Sequence, residues 1–276
     1  MKYLILGSEG QIGHALKKYL VSKGNEVIEF DIVNSIEQDL RLHNNSFLKT
    51  CVNDSDFIFF LAWDVGGSRY LEKHQDSYEF ILNNLKITVN VFEVIKFYKK
   101  PFIFASSQMA SMSHSSYGIT KAVAEKIVKA INGITVKFWN VYGLERNLDK
   151  SHVITDFILK AKNSNKIEML TDGLEVRQFL HVDDCSRCLF ELSKKYFKLN
   201  CEDEYHITSF EWSSILEVAN IIKKYYPEIK IIPGKKTDKV QLDARNEPDK
   251  NIFNFWKPKI TLEKGIKKII DHLEEI

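Results

Sequence analysis

Apolar runs of strand length recur along the chain, separated by longer stretches with helical spacing. Phe57-Ile-Phe-Phe-Leu61 and Phe102-Ile-Phe104 are apolar without alternation, the pattern of strands covered on both faces of a parallel sheet. In order, the pattern predicts an apolar strand from Tyr3 to Gly7, then a helix, then a strand over Glu26–Phe30. After these come a helix near Asn44–Val52, a strand over Asp56–Ala62 and a long helix over about Asp76–Lys99. A strand over Pro101–Ser106, a helix over about Ser116–Ile131 and a strand over Ile134–Asn140 follow. Strand and helix alternate, so the chain reads as α/β with a doubly wound parallel sheet. Beyond Tyr142-Gly143 the pieces shorten: a helix from His152, a strand near Ile167–Leu170, a turn at Asp172-Gly173, and helices near Trp212–Tyr225 and Thr261–Glu275. The expected division is a Rossmann-like domain over 1–145 and a smaller C-terminal substrate-binding lobe over 146–276, parts of which return to the main sheet.

The long helix departs from the one-sided pattern. Ile81, Leu82, Leu85, Ile87, Val89, Val91, Phe92, Val94, Ile95 and Phe97 are too many for one stripe, so it must be covered on more than one side, by the fold or by a second subunit. With the Ser116–Ile131 helix it is expected to form an isologous four-helix interface in a homodimer.

Composition narrows the partners. The chain has 276 residues, 44% of them hydrophobic, enough for a large core in one α/β domain or two unequal lobes. Its 39 basic and 37 acidic side chains leave a charge of +2, which gives no electrostatic case for nucleic acid or an anionic membrane. Any phosphate binding must therefore be local. Met1-Lys2-Tyr3 enters the first strand directly, with no signal peptide and no apolar run of about 18 residues, so a soluble cytoplasmic protein is expected. Of the four cysteines, Cys185-x-x-Cys188 could be read with His181 as metal ligands. A second Cys pair or a His-x₃-His group to complete the set is missing, so no metal is expected. The two thiols are expected one turn apart on a helix opened by Asp183 and Asp184, as small, partly buried side chains.

The chemistry begins where the first strand ends, in Gly7-x-x-Gly10-x-x-Gly13. Three glycines at this spacing let the backbone turn, approach a pyrophosphate and pack a helix close to its strand, and the helix N-terminus then meets the phosphates. The second strand ends in Asp31, a carboxylate placed to accept hydrogen bonds from an adenosine ribose. NAD is thus expected over NADP, because that carboxylate repels a 2′-phosphate and no Arg lies within Ile32–Ile36. Tyr117-x₃-Lys121 puts a phenol and an ammonium on one face of a helix. The positive charge favours the phenolate and suits Tyr117 to general acid–base work on a hydroxyl or carbonyl. Tyr19-x₃-Lys23 and Tyr226-x₃-Lys230 match equally well. Only Tyr117, however, follows a strand ending in Ser106-Ser107, at the edge of the sheet where open α/β folds bind ligands.

Together these motifs resemble the extended short-chain dehydrogenase/reductase family, the NAD-dependent nucleotide-sugar epimerases and dehydratases. The resemblance spans nearly the whole chain, with Asp39-Leu40-Arg41, Phe60-Leu61-Ala62, Asn84, Trp139-Asn140-Val141-Tyr142-Gly143, Arg177-x₅-Asp183, Trp256-Lys-Pro-Lys and Leu262-Glu-Lys-Gly265 joining the motifs above. It implies that Ser107, Tyr117 and Lys121 are catalytic, with Lys121 also on the nicotinamide ribose. It implies cofactor contacts from Gly7, Gly10, Gln11, Ile12, Gly13, Asp31, Asp39, Leu40, Leu61 and Ala62, and substrate contacts from Ser107, Asn140, Arg177 and Arg245. The implied activity is epimerisation of a nucleotide sugar by hydride transfer at a ring carbon, C4, through a keto intermediate; a C4 oxidoreductase (4-keto reductase or dehydrogenase) is the alternative, and a non-catalytic NAD sensor would not need the triad. Three departures bear on the reaction. Gln108-Met109 stands where the family's 4,6-dehydratases carry Asp-Glu, which argues against dehydration. Residues 108–116 form a short span, which trims one wall of the sugar pocket. Ser151-His152-Val153-Ile154 and Val65-Gly66-Gly67 resemble the GDP-fucose synthase-like epimerase-reductases, without their partner Cys. His152 is accordingly a catalytic candidate, with helix capping or packing as the alternative.

Overall fold

The two-faced apolar strands build the centre of the molecule. A computed structural model describes residues 1–145, 150–238, 240 and 246–274. The first half runs β1 (Lys2–Leu6), α1 (Gln11–Ser22), β2 (Glu26–Phe30), α2 (Ser46–Asp54), β3 (Phe57–Phe60), α3 (Ser68–His74), α4 (Tyr78–Tyr98), β4 (Phe102–Ser107), α5 (Ser116–Ala130) and β5 (Ile134–Phe138). The second half runs β6 (Asn140–Tyr142), α6 (Val153–Ser164), β7 (Lys166–Glu168), β8 (Val176–His181), α7 (Val182–Lys194), β9 (Tyr205–Ile207), β10 (Trp212–Ser214), α8 (Ile215–Tyr225), β11 (Lys230–Ile232) and α9 (Leu262–Glu274). Six strands in the order β2-β1-β3-β4-β5-β9 form one sheet with every pair parallel. This is the predicted Rossmann-like α/β class.

Successive strand residues serve opposite faces, which explains the unbroken apolar runs. Tyr3, Ile5, Phe57, Phe59, Ile103 and Ala105 pack on one side with α1 and α7. Leu4, Leu6, Ile58, Phe60, Phe102 and Phe104 pack on the other with α2, α4 and α5. A separate core joins α6, α8 and α9 beside two small sheets, β10-β8-β6 and β11-β7. Cys185 and Cys188 lie on α7 in the first core, where burial pushes both thiols up.

Three elements differ from the sequence pattern. The strand expected over Ile134–Asn140 breaks at Trp139, and β6 leaves the main sheet to pair with β8. The helix expected from Trp212 starts at Ile215, because Trp212–Ser214 pairs antiparallel with Arg177 and its neighbours in β8. Helix α3 was absent from the pattern, since Leu71 alone of its seven residues is buried and no stripe forms. The long helix α4 buries Phe80, Ile87, Val91, Phe92, Val94 and Ile95, while Leu85, Val89 and Phe97 stay exposed, as do Ile119 and Val123 of the α5 helix that packs on it.

Phe60 has no exposed surface and lies 5.2 Å from the rings of both Phe92 and Phe104. Phe60→Ala is expected to cost about 3–5 kcal/mol, against under about 0.5 kcal/mol for Phe97→Ala on the exposed end of α4. Urea unfolding curves measure both, and equal losses would contradict this assignment of the core.

Candidate active site

The glycine loop is built by two backbone contacts. Gly7 has φ +92°, and a Cβ there would lie 2.8 Å from the Ala62 nitrogen; a Cβ on Gly13 would lie 2.0 Å from the Gly7 oxygen. Neither position tolerates a side chain. Gly10 differs, because its nearest neighbour would be the Gly7 oxygen at an ordinary 3.5 Å. Packing inside the chain does not require glycine at Gly10, but a ligand approaching the loop would. Gly10 caps α1 without a side-chain bond, and no acid occupies the first turn, so the N-terminus presents bare N–H groups suited to a diphosphate. Gln11 ties the loop to the next layer. Its amide donates to the Val141 carbonyl at 3.2 Å and accepts from the Gly143 N–H at 3.0 Å.

A cleft of about 1200 Å³ opens from this loop across the ends of β1, β3, β4 and β5. At one end Asp31 accepts from the N–H groups of Glu9 (3.0 Å) and Val33 (3.1 Å), which fixes the carboxylate beside the loop. Asp39 and Leu40 line the same end and are buried. The Arg41 guanidinium grips Asp39 at 2.8–3.1 Å through Nε and Nη2, and its hydrogen bonds hold the Asp39 carboxyl below the usual carboxylate range. Leu61 and Ala62 form the floor.

Ser107, Tyr117 and Lys121 meet on the cleft wall. Ser107 is the last residue of β4, and its Oγ accepts from the Met109 N–H at 3.1 Å. Ser115 starts α5 by accepting from the Gly118 N–H and is itself anchored on Gln75, which sets Tyr117 in the first turn. Burial pushes the Tyr117 phenol up to about 12, and the Ser107 hydroxyl draws it partway back. The Lys121 ammonium donates to the Ala105 carbonyl at 2.5 Å and lies 3.8 Å from the centre of the Trp63 ring. Burial also pulls Lys121 well below its ordinary value, with Glu125 opposing. The short span after Ser107 folds as a 3₁₀ turn at Gln108–Ser111. It is covered from the second half of the chain, where Val240 packs with Met109, Met112 and Tyr117, and Asn246 donates to Gln108.

The two GDP-fucose synthase-like stretches prove to be one structure. A Cβ on Gly67 would lie 2.4 Å from the Ser151 carbonyl, and the Gly67 N–H donates to the Lys150 carbonyl at 3.0 Å. Gly67 therefore lets residues 150–152 sit against the cleft. His152 occupies the N-cap position of α6, but its ring makes no capping bond. Instead Nδ1 meets Glu145 Oε1 at 2.6 Å, while the His152 N–H donates to Glu145 Oε2 at 2.9 Å. Glu145 is held below its ordinary value by His152 and Thr155 against the opposing effect of burial. Beside it, Lys150 and Tyr70 both bond Asp64, at 3.0 and 2.7 Å.

Asn140 lies where the main cleft meets a second cavity of about 150 Å³, and its buried Nδ2 has no partner among the described residues. Arg177 lines that cavity, nearly buried, with its guanidinium on Asp238 and the Val176 carbonyl. Arg245 lies outside the described residues. Glu145, Trp63 and the Asp64 cluster were not foreseen. Of these, an aromatic directly after Ala62 was the one available signal.

A parallel sheet with a glycine loop at its carboxyl edge, and with Ser, Tyr and Lys gathered at the end of β4, defines a dinucleotide-dependent enzyme of the extended short-chain dehydrogenase/reductase type. The NAD-dependent epimerase/dehydratase family model matches residues 3–207, and the chain belongs to that family. Its cofactor is NAD. Among its relatives, GDP-mannose 3,5-epimerase 1 of Oryza sativa subsp. indica is 26% identical over 316 residues, covering 97% of this chain and 80% of the relative. A putative UDP-glucose 4-epimerase of Methanocaldococcus jannaschii is 24% identical over 98% of each chain. The crystal structure of UDP-glucose 4-epimerase from Thermotoga maritima superposes with a TM-score of 0.84 at 18% identity, covering 100% of this chain and 99% of that one.

Gly10→Ala separates ligand from fold. It is expected to leave the unfolding midpoint in place and weaken NAD⁺ binding at least tenfold in calorimetric titration, about 1.4 kcal/mol. Gly13→Ala should instead destabilise the chain, because its methyl would collide with the Gly7 carbonyl. A Gly10→Ala protein that binds NAD⁺ normally would remove the loop from the cofactor site.

Proposed function

We propose that the protein is an NAD-dependent nucleotide-sugar epimerase that oxidises a ring carbon, C4, to a keto intermediate and restores the hydroxyl on either face. The observation that carries this reading is the placement of Ser107, Tyr117 and Lys121 on one wall of a cleft running from the glycine loop to Asn140. The names of the relatives support the substrate class, since both act on nucleotide-linked sugars. The loop of Gly7, Gly10, Gly13, Gln11 and Ile12 holds the cofactor diphosphate through backbone N–H groups. Asp31, Asp39 and Leu40 form the adenosine end, and Leu61 and Ala62 the floor.

Bound NAD supplies a reversible hydride acceptor beside the sugar carbon. Tyr117 takes the proton of the sugar hydroxyl as the carbonyl forms and returns it as the hydroxyl is restored, so the cycle needs no external acid. Ser107 shares the same oxygen. Tyr117, pushed up to about 12, is well suited to donate, and positive charge from Lys121 and an oxidised nicotinamide makes it a base. Asn140 and Arg177 hold the nucleotide sugar, with Arg245 as a further diphosphate ligand and the lobe over 146–276 closing around the nucleotide. A C4 oxidoreductase is the second reading, favoured by the His152–Glu145 pair, which gives the cleft a proton group independent of Tyr117. The four free cysteines accord with the reducing cytoplasm as the compartment.

Incubation of the protein with UDP-, GDP-, CDP- and dTDP-sugars tests both readings through product analysis and the absorbance of reduced cofactor. An epimerised sugar without net NADH supports the first, and stoichiometric conversion of cofactor the second. Tyr117→Phe should stay folded, bind cofactor and lose turnover by about 10² or more. Unchanged turnover would move the acid–base role elsewhere, with His152 next.

The protein acts as a homodimer in this proposal, with Leu85, Val89, Ile119 and Val123 of α4 and α5 meeting their counterparts across a two-fold axis. Sedimentation at micromolar concentration should show a dimer that Val89→Lys dissociates. A monomeric unaltered protein would refute it.

A further inference from the structure

Lys121 is almost fully buried, yet among the described residues no carboxylate lies within hydrogen-bond distance of its ammonium. Its neighbours are the Ala105 carbonyl, the Trp63 ring at 3.8 Å and the Phe104 ring at 4.7 Å. Trp63 directly follows Ala62 on the cleft floor and is braced by Phe60 and Phe104, at ring separations of 6.5 and 5.7 Å. Its face is thereby fixed toward the lysine.

We propose that Trp63 is the positioning residue of the catalytic lysine, its indole face standing in for a counter-ion and holding Lys121 charged one helical turn from Tyr117. This rests on the reading of Tyr117 and Lys121 as the acid–base pair. A buried ammonium keeps its proton only if something replaces the water it has lost. A carboxylate in contact would do so, but its negative charge would cancel the field that Tyr117 needs. An aromatic face attracts the cation through its quadrupole and carries no net charge, so the ammonium is held while its field survives.

The surrounding charges do not replace the ring. Glu125, one turn along α5, acts on Lys121, but its oxygens face Ser106 Oγ at 2.5 Å and Lys137 at 3.7 Å, and burial raises it toward the neutral form. Lys137 is bound in turn by Glu204 at 2.7 Å. Asp64, beside Trp63, is engaged by Lys150 and Tyr70. In a desolvated site an indole–ammonium contact is worth about thirtyfold or more in the protonation equilibrium of the lysine.

The test follows tyrosinate formation by ultraviolet difference spectroscopy against pH on protein loaded with NAD⁺, with the spectrum of Tyr117→Phe subtracted to isolate Tyr117. Trp63→Leu removes the ring and should raise the Tyr117 midpoint by about one pH unit. Trp63→Phe keeps a weaker face and should raise it by a smaller, measurable amount, with NAD⁺ affinity by calorimetry within about threefold. Lys121→Met should raise it at least as much as Trp63→Leu. If Trp63→Leu does not fold, Trp63→Phe decides. A wild-type midpoint in the folded Trp63 variants, with Lys121→Met raised, overturns the role of Trp63 and leaves the acid–base pair standing. An unchanged midpoint in Lys121→Met overturns the pair, and the role of Trp63 with it.

Discussion

The close approach of backbone to backbone at the ends of β1 and β3 sets the geometry of the whole site. Ala62 comes within reach of Gly7, and the Gly7 carbonyl within reach of Gly13, only because neither glycine carries a Cβ. Those contacts seat the N-terminus of α1 over the sheet edge, where among the described residues no side chain caps its N–H groups. They also fix the residue after Ala62. Trp63 is thereby held beneath α5, with its ring against the Lys121 ammonium.

Beyond that edge the cleft depends on how β4 ends. Ser106 and Ser107 are adjacent residues of one strand and so point to opposite sides. Ser106 turns inward to Glu125 at 2.5 Å, which ties β4 to α5 and, through Lys137, to β5. Ser107 is left for the cleft, next to the phenol carried by the same helix. The second half of the chain completes the walls, with β6 and β8 carrying Asn140 and Arg177 to the far end and Val240 and Asn246 covering the short span after Ser107.

Features encoded by neighbouring residues were legible in the sequence. The glycine loop, the two-faced strands and the Tyr117–Lys121 spacing each lie within one local element, where periodicity and spacing carry the geometry. Pairs formed across loops were not. Glu145 meets His152 seven residues on, Trp63 just past β3 meets Lys121 on α5, and Asp238 reaches Arg177 across 61 residues. No periodic signal links such positions. Strands β9 and β10, three residues each, fall below the length at which alternation can be read, and only their pairing with β5 and β8 defines them. Gly66-Gly67 and Ser151-His152 were readable as separate resemblances, but their contact depends on a missing side chain at Gly67.

The charges lining the cleft also explain why a nearly neutral chain can serve an anionic cofactor. Arg41, Lys150 and Arg177 each face the cleft or its second cavity already paired, with Asp39, Asp64 and Asp238. Paired in this way they shape the walls without creating a broad positive field. Recognition of a diphosphate at the glycine loop then falls to oriented backbone N–H groups, which act over one hydrogen-bond length and are little screened by salt. Lys121 differs from these three, because among the described residues its ammonium faces the Trp63 and Phe104 rings and no acid lies within hydrogen-bond distance of it.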